Sequence, residues 1–557
     1  MTPEMLLEQF DVVADAPNGV QKLRELILQL AVRGKLVPQD PSDEPASVLL
    51  EQLEADKWRL HREGKLGKQH ELPPIRREDM AFEVPHGWEW ARIGEVTSKL
   101  GSGSTPHGGK RAYMKEGVKF LRSQNVWNHG LRLDDVAHIP PSVHIQMSGT
   151  AVEPGDVLLN ITGASIGRSA VVPDDFDEGN VSQHVSIIRP IRKDLRHFLH
   201  LSLISPYFQN LIMQVQVGIS REGLSKARLS ELVVPIPPLP EQHRIVEKVD
   251  QLMALCDKLE ERQRRREETR VRGSRAALHH LTTDTANTVL SDNWRRIKDN
   301  FHLLYDAPGT LSELRQAILQ LAIRGKLVPQ NPSDDPASVL LERIAEEKRL
   351  LASEGKISTP KSLPAVKSQE VPFEVPEGWE WVRFGDVTLN RDAERVPVPS
   401  TVRETRQGPF PYYGASGIID YINDFIFDGT LLLIGEDGAN LVLRSTPIAF
   451  FAEGKYWVNN HAHVIDGISI DLLRFVAVFI NAIDLKPFVT GTAQPKLNQA
   501  KLQSIPIALP PLPEQRRIVE KVDRLMALCD QLEAQLSQSR TKAEQLASAV
   551  VHHLTAA

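Results

Sequence analysis

The chain has 557 residues, 41% hydrophobic and 25% charged, with a formal net charge of −6. This is the profile of several soluble globular domains, and the negative balance gives no bulk argument for a polyanionic partner. Two cysteines exclude a disulfide framework, and the longest apolar run, 472–483, is broken by Arg474 and Asn481 and too short for a bilayer. In chain order, Met1-Thr-Pro-Glu4 shows no basic leader and no apolar segment, so a cytoplasmic protein is expected.

A helical constant block is expected over 1–81. It holds an amphipathic helix at 23–32, a turn at Arg33-Gly34-Lys35 and a second helix from about Ala46. "FEVPHGWEW" then opens a variable insert at 82–236, followed by a constant helix at 237–283. The pattern starts again: a linker and second helical block over 284–372, a second insert at 373–509 opened by "FEVPEGWEW", and a last constant helix at 510–557. The head text 23–51 returns at 314–342, an offset of 291, and "LPEQHRIVEKVDQLMALCDKLE" at 239–260 returns at 512–533, an offset of 273, with 19 of 22 positions identical. The first insert is therefore 18 residues longer. Duplicated constant text around unlike inserts is the organising feature of the chain.

Both tails read as long helices opened by Pro240 and Pro513, which suit a first helical turn. In the second, Ile518, Val522, Leu525, Cys529, Leu532, Leu536, Ala543, Leu546 and Val550 follow alternating spacings of four and three, with only Ser539 as a polar step, a coiled-coil seam. The first keeps that seam through Ile245, Val249, Leu252, Cys256 and Leu259, then loses register in "ERQRRREETRVRGSR". Two such helices related by a pseudo-two-fold axis would pack antiparallel, as a rod of roughly 60 Å. Cys256 and Cys529 read as core residues. The paired histidines at 279–280 and 552–553 lack a third ligand type beside them, and neighbours do not share a helix face.

The inserts share a skeleton. "GDVLLNITGASIG" at 155–167 faces "GTLLLIGEDGANL" at 429–441, "VSQHVSII" at 181–188 faces "VNNHAHVI" at 458–465, and "GLSKARL" at 223–229 faces "PKLNQAKL" at 495–502. One mixed α/β fold with different turn residues is the pattern of a recognition surface. Residues 99–132 carry seven Lys or Arg against Glu116, with Tyr113, Phe120 and Trp127 interleaved, which suits phosphate positioning. The second insert dilutes Arg391, Arg395, Arg403 and Arg406 with acids. "GSTPHGGK" is not a phosphate loop, because it has an extra glycine and Arg111 stands where Ser or Thr would hold magnesium. No amino-methylation motif and no nuclease centre is found. His184 and His461, at matched places, read as packing or hydrogen-bonding residues. The chain reads as recognising rather than reacting.

The head "ILQLAVRGKLVPQDPSDEPASVLLE", "EVPxGWEW", "GDVLLNITGASIGR", "PYYGASGIIDYI", "IGEDGA" and "PPLPEQxRIVEKVD" together resemble the specificity subunit of type I restriction–modification systems. The resemblance covers nearly the whole chain. It implies a mixed α+β chain in which two similar target recognition domains are held apart by a long antiparallel two-helix coiled coil. Each domain would read one half of a bipartite DNA target. It also implies no catalysis by this chain, docking of two modification subunits that use S-adenosylmethionine, and, through the complex, restriction subunits that use ATP and Mg. No cofactor or metal is expected on this chain. One departure is the full head block that precedes the first recognition domain. Base-reading candidates are polar groups in or beside Gly-rich turns: Ser104, Thr105, Arg122, Ser123, Gln124, Asn125, Thr162, Ser165, Arg168 and Gln183 in the first domain, and Tyr412, Tyr413, Ser416, Glu436, Asp437, Asn440, Asn459, Asn460 and Gln494 in the second. The competing reading is a coiled-coil adaptor without direct DNA recognition, favoured by the net charge.

Overall fold

A computed structural model describes residues 13–66, 71–217, 223–283, 287–306, 308–358, 362–491 and 494–556. Residues 1–4, read above for a leader, lie outside that set. The chain forms two compact units, Met1–Arg265 with Ser539–Ala557, and Arg266–Gln538.

In the first unit, helix α1 (Gly19–Val32) buries Leu23, Leu26, Ile27 and Leu30, the three-and-four spacing that a helix aligns on one face. Helix α2 (Ala46–Arg62) follows Pro45. Strand β1 (Glu89–Arg92) pairs antiparallel with β11 (Val233–Ile236), Glu89 opposite Ile236, so the two ends of the insert are tied together. Within it, β2 (Thr97–Ser102), β7 (Val157–Asn160), β8 (Ser169–Val171) and β10 (Val185–Pro190) form an antiparallel sheet in the order β2-β10-β7-β8. A smaller sheet sets β3 (Val118–Leu121) between β6 (Ala137–Ile139) and β9 (Gly179–Val181), with β3 and β9 parallel. The hairpin β4 (Val126–Trp127) to β5 (Gly130–Leu131) follows β3.

Helix α3 (Leu239–Thr283) contributes Ile245, Val249, Leu252 and Cys256 to the core that α1 closes, together with Ala547 and Leu554 near the end of the last helix, α6 (Leu512–Ala556). Arg24 of α1 reaches Asp257 at 2.5 Å and Glu260 at 2.9 Å, while Lys22 reaches Ser548 at 2.7 Å. The first head block thus packs on the start of the tail that follows its own insert and on the end of α6.

The second unit repeats the plan. Helix α4 (Pro308–Ile323) packs with the start of α6, and Leu278 and Leu281 from the end of α3 join the same core. Arg315 reaches Asp530 and Glu533 at 2.7 and 3.0 Å, and Glu313 takes Arg275 at 2.8 Å. Helix α5 (Ala337–Ser353) precedes β12 (Glu380–Arg383), which pairs with β21 (Pro506–Leu509). The main sheet runs β13 (Leu389–Asn390), β20 (Ala462–Asp466), β17 (Leu431–Gly435), β18 (Ala449–Ala452). A second sheet runs β15 (Gly417–Ile422), β14 (Phe410–Gly414), β19 (Lys455–Val458), β16 (Phe427–Asp428).

The stretch 261–275 is helical like the rest of α3, and Ser274, 1% exposed, takes the core position that Ala547 holds in the last helix. Two expectations need correction. Near its end, α6 buries Ala547 and leaves Leu546 55% exposed, so the apolar face continues through Ala543, Ala547, Val550 and Leu554 and not through Leu546. Finally, Val185 pairs with Asn160 where Ala462 pairs with Gly435. The inserts therefore align Asn160 with Gly435 and not with Ile434. Both cysteines are free and buried, and burial pushes both thiols up, as for inert core residues. Among the described residues no helix is long and apolar enough to cross a membrane.

Candidate nucleic-acid interface

Ladder registers decide which turns meet. In the first unit Ser102 pairs with Ser186, Val185 with Asn160, and Leu159 with Ser169. Segments 103–107, 161–168 and 182–184 therefore leave one edge of the sheet. Leu121 opposite Val181 brings 122–125 to the same edge, where Asn160 Nδ2 donates to the Ser123 carbonyl at 2.8 Å. All ten residues expected in the first insert lie in those four segments.

They do not all face solvent. Asn125 is fully buried; its amide donates to the Arg132 carbonyl at 2.9 Å and to Asp135 at 3.2 Å, so it holds the loop. Arg122 donates to the Asp135 carbonyl at 2.7 Å, and Gln124 also donates to Asp135. Ser165 accepts from Asn160 at 3.2 Å. Ser104 and Gln183 are exposed, and Thr105 donates to Gln183 Oε1 at 3.1 Å, which leaves the Gln183 amino group free to donate outward. Thr162 meets His184 Nδ1 at 2.6 Å.

Arg168 has a different setting. Its guanidinium carbon lies 3.8 Å from the Trp127 ring centroid, and Arg132 lies 3.8 Å from the same ring. Two guanidinium groups can come that close to one indole without overlapping only from its two faces. Trp127 is itself fixed by donating Nε1–H to the Gln124 carbonyl at 2.8 Å. Three other cations of the basic stretch are committed: Lys119 to Asp177 at 2.5 Å, Arg122 to Asp135, and Lys99 to the Ala151 carbonyl at 3.1 Å. The basic stretch is thus less free for phosphate than its composition implies.

The second unit gathers the equivalent turns. Gly435 opposite Ala462, and Asn459 N–H donating to the Tyr413 carbonyl at 3.1 Å, bring 415–416, 436–440 and 459–461 together. The segment around Lys496 joins them through a bridge to Asp437. Its chemistry differs. Arg391, Arg395, Arg403 and Arg406 are paired with Glu394, Glu436, Asp420 and Asp424 at 2.7, 2.7, 2.7 and 3.5 Å. His463, 1% exposed, sits 2.6 Å from Asp392. Burial works to raise Asp392 and Glu436, but His463 beside Asp392, and Arg395, His463 and Lys496 around Glu436, hold both carboxyls below their usual range.

Several expected readers are therefore structural. Tyr412 is buried, its hydroxyl accepting from Val398 N–H at 2.9 Å. Asn459 is buried and accepts from His461 N–H at 2.8 Å. The Asn440 amide closes the 440–446 turn on Thr446 at 2.9 Å, and Glu436 is bound by Arg395 and Lys496. Tyr413 is half-buried and stacks near Phe450. Ser416, Asn460 and Gln494 are exposed, and Asp437 carries His461 at 2.7 Å. The pair His461–Asp437 occupies the place of His184–Thr162, so both matched histidines are hydrogen-bonded at the edge of the turn cluster.

The family profile of the type I restriction modification DNA specificity domain matches residues 85–267 and 376–539, more than half of the chain. The chain belongs to the type I restriction–modification specificity subunits. The EcoEI specificity subunit of Escherichia coli is 31% identical over 96% of this chain and 93% of its own length. The EcoAI specificity subunit of Escherichia coli is 32% identical over 96% and 93%. A crystal structure of the HsdS subunit from Thermoanaerobacter tengcongensis is 19% identical, covering 85% of this chain and 98% of its own, with a TM-score of 0.42.

In this specificity subunit Trp127 and Arg132, expected only as parts of the basic stretch, and Asp135, not expected at all, build the first cluster, while His463, Asp392 and Arg395, the last expected only as a surface cation, are the buried support of the second. A tryptophan five residues before an arginine was a usable signal for the first group. Asp392 and Arg395 share one short turn, but His463 lies 71 residues beyond Asp392 in β20, so nothing local joins the ring to its carboxylate.

Proposed function

We propose that this chain is the sequence-reading subunit of a type I restriction–modification complex, with one half of a bipartite asymmetric DNA target read by each turn cluster. The observation that carries this reading is one strand-edge cluster built twice on the same β plan, with different side chains at matched positions: Thr162 against Asp437, Gln183 against Asn460 and Asn160 against Gly435. Equal frames with unequal polar edges suit two unequal half-sites.

The catalytic work would lie elsewhere. Two modification subunits, carrying S-adenosylmethionine, would dock on the duplicated heads and tails, and restriction subunits using ATP and Mg would join through them. This chain would act in the cytoplasm as a non-catalytic adaptor between DNA and those enzymes. The domain limits proposed are 82–236 and 373–509, set between constant blocks at 1–81, 237–283, 284–372 and 510–557.

The test is an exchange. Replacing 82–236 with the matching insert of another specificity subunit, then mapping methylated bases in cells that carry the cognate partners, should change one half of the motif and preserve the other. Change in both halves, or in neither, would count against it. The purified chain alone should transfer no methyl group from S-adenosylmethionine to DNA.

A further inference from the structure

Arg168 combines three features that no other residue of the first turn cluster has. Its side chain makes no hydrogen bond and no ion pair among the described residues, so its N–H groups are unused inside the protein. It is nevertheless held in place, 3.8 Å from the Trp127 ring, with Arg132 at 3.8 Å from the same indole. It also stands at the edge where 103–107, 122–125 and 182–184 converge, at the end of the turn whose backbone returns to Asn160 at 2.8 Å.

Stacking fixes the plane of a guanidinium and leaves its edge free to donate. A phosphate contact needs charge but little fixed orientation, and exposed Arg111 and Lys115 already offer that. A planar, pre-set pair of donors with no acceptor matches a base edge with two adjacent acceptors. Among the four bases only guanine, through O6 and N7 in the major groove, presents that edge.

We propose that Arg168 reads a guanine in the half-site of the first domain, with the Trp127–Arg132 stack as its positioning group. This rests on the proposed function and assigns one base within it. Among the described residues, Arg391, Arg395, Arg403 and Arg406 of the second domain are each tied to a carboxylate, so none of these four is a counterpart.

The experiment uses the assembled methyltransferase and short duplexes in which each position of the target is varied in turn. The wild-type complex should show a guanine preference at one position of the first half-site. Arg168→Ala and Arg168→Lys should each erase about 5- to 150-fold of discrimination there, as expected for one bidentate pair, and leave the second half-site unchanged. Trp127→Ala should weaken the same position, and Trp127→Phe should restore part of it. Retained selectivity in the second half-site shows that the variants have folded.

Uniform weakening across all duplexes, with a salt slope reduced by about one, would assign Arg168 to phosphate and overturn the proposal. Unchanged guanine preference in Arg168→Ala, or relaxation at a position that is not guanine, would overturn it equally. If the wild-type complex shows no sequence preference at all, the underlying reading fails instead.

Discussion

Trp88 donates its indole N–H to the Glu241 carboxylate at 3.0 Å, linking the "GWEW" opening of the first insert to the first turn of α3. Trp379 makes the same bond to Glu514 at 3.0 Å. Gln39 adds a second donor to Glu241 at 2.9 Å, as Gln330 does to Glu514 at 2.8 Å. Each buried carboxylate thus ties a head block, an insert and a tail helix at one point. Burial pushes the Glu514 carboxyl up, against the pull of its two donors.

Trp88→Phe keeps most of the ring and removes the donor to a carboxylate that is 1% exposed. The expected loss is about 1–3 kcal/mol, the cost of stranding a buried acceptor. Denaturant unfolding of the full chain, followed by proteolysis at sites in each unit, should show the first unit weakened and the second unmoved. Equal loss in both would sink the assignment.

The heads carry opposite charges at one matched place. Lys22 reaches Ser548 at 2.7 Å and Glu544 at 3.8 Å, while Glu313, its repeat partner, takes Arg275 at 2.8 Å. Lys22→Glu should cost roughly 0.2–1 kcal/mol in the first unit, the range for exposed pairs, and Glu544→Lys should recover part of it. A double-mutant cycle in low salt reads the coupling; a value of zero would mean the swapped charges do not help to match each head with its helix.

Much of this was legible because repetition needs no structural interpretation. The offsets of 291 and 273 located heads, inserts and tails, and the three-and-four spacing marked α1 and the long helices. What stayed hidden depends on residues distant in sequence. Asn125 and Asn459 look like free amides in polar turns, yet both are spent inside the protein. Arg391, Arg395, Arg403 and Arg406 look like DNA contacts until their carboxylates are located. Leu546 fits an ideal heptad, but the local partner faces Ala547. The alignment of Asn160 was off by one because a Gly-rich turn carries no hydrophobic period to fix register.

Lys348 in α5 is buried and donates to the Gly385 carbonyl at 2.7 Å. Burial pushes its ammonium down to about 8 from the usual 10.5. Between those values the unfolded chain holds a proton that the folded one lacks, so this lysine makes stability rise with pH across that window. Below about pH 8 both states are charged and the burial penalty is fully present. Relative to Lys348→Met, the wild type should gain by up to about 1.4 kcal/mol per pH unit from 8 to 10. Unfolding of both proteins at pH 7.5 and 10 measures this, and a constant or falling difference would contradict it.

His463 and Asp392 support the second turn cluster from beneath, with Leu497 O accepting at 2.7 Å from the other ring nitrogen. Asp392→Ala would leave His463 and Arg395 without their shared carboxylate. A loss of about 3–5 kcal/mol is expected for one member of a buried charged group. Methylation by the assembled complex should fail through the second half-site first. Loss confined to the first would show that the cluster has been placed in the wrong domain.

Gly435 ends β17 where the tip of the β14–β15 hairpin comes close, and a Cβ built there would lie 2.7 Å from the Ala415 carbonyl oxygen. That oxygen is backbone and cannot rotate away, so Gly435→Ala must push the 414–417 tip outward or shift the strand end. The matched place in the first domain is Asn160, which has room for its side chain and uses it to hold the Ser123 carbonyl at 2.8 Å. The two substitutions therefore act through one structural position in opposite ways. Gly435→Ala overpacks, at about 1–3 kcal/mol, and displaces Ser416; Asn160→Ala removes a support, at about 1 kcal/mol, and loosens Ser123 and Gln124. Competition between duplexes altered in one half-site or the other separates them. Gly435→Ala should flatten discrimination in the second half-site alone and Asn160→Ala in the first alone. If both variants blur the same half, the matched positions do not serve separate half-sites, and the pairing of one turn cluster with each half must be abandoned.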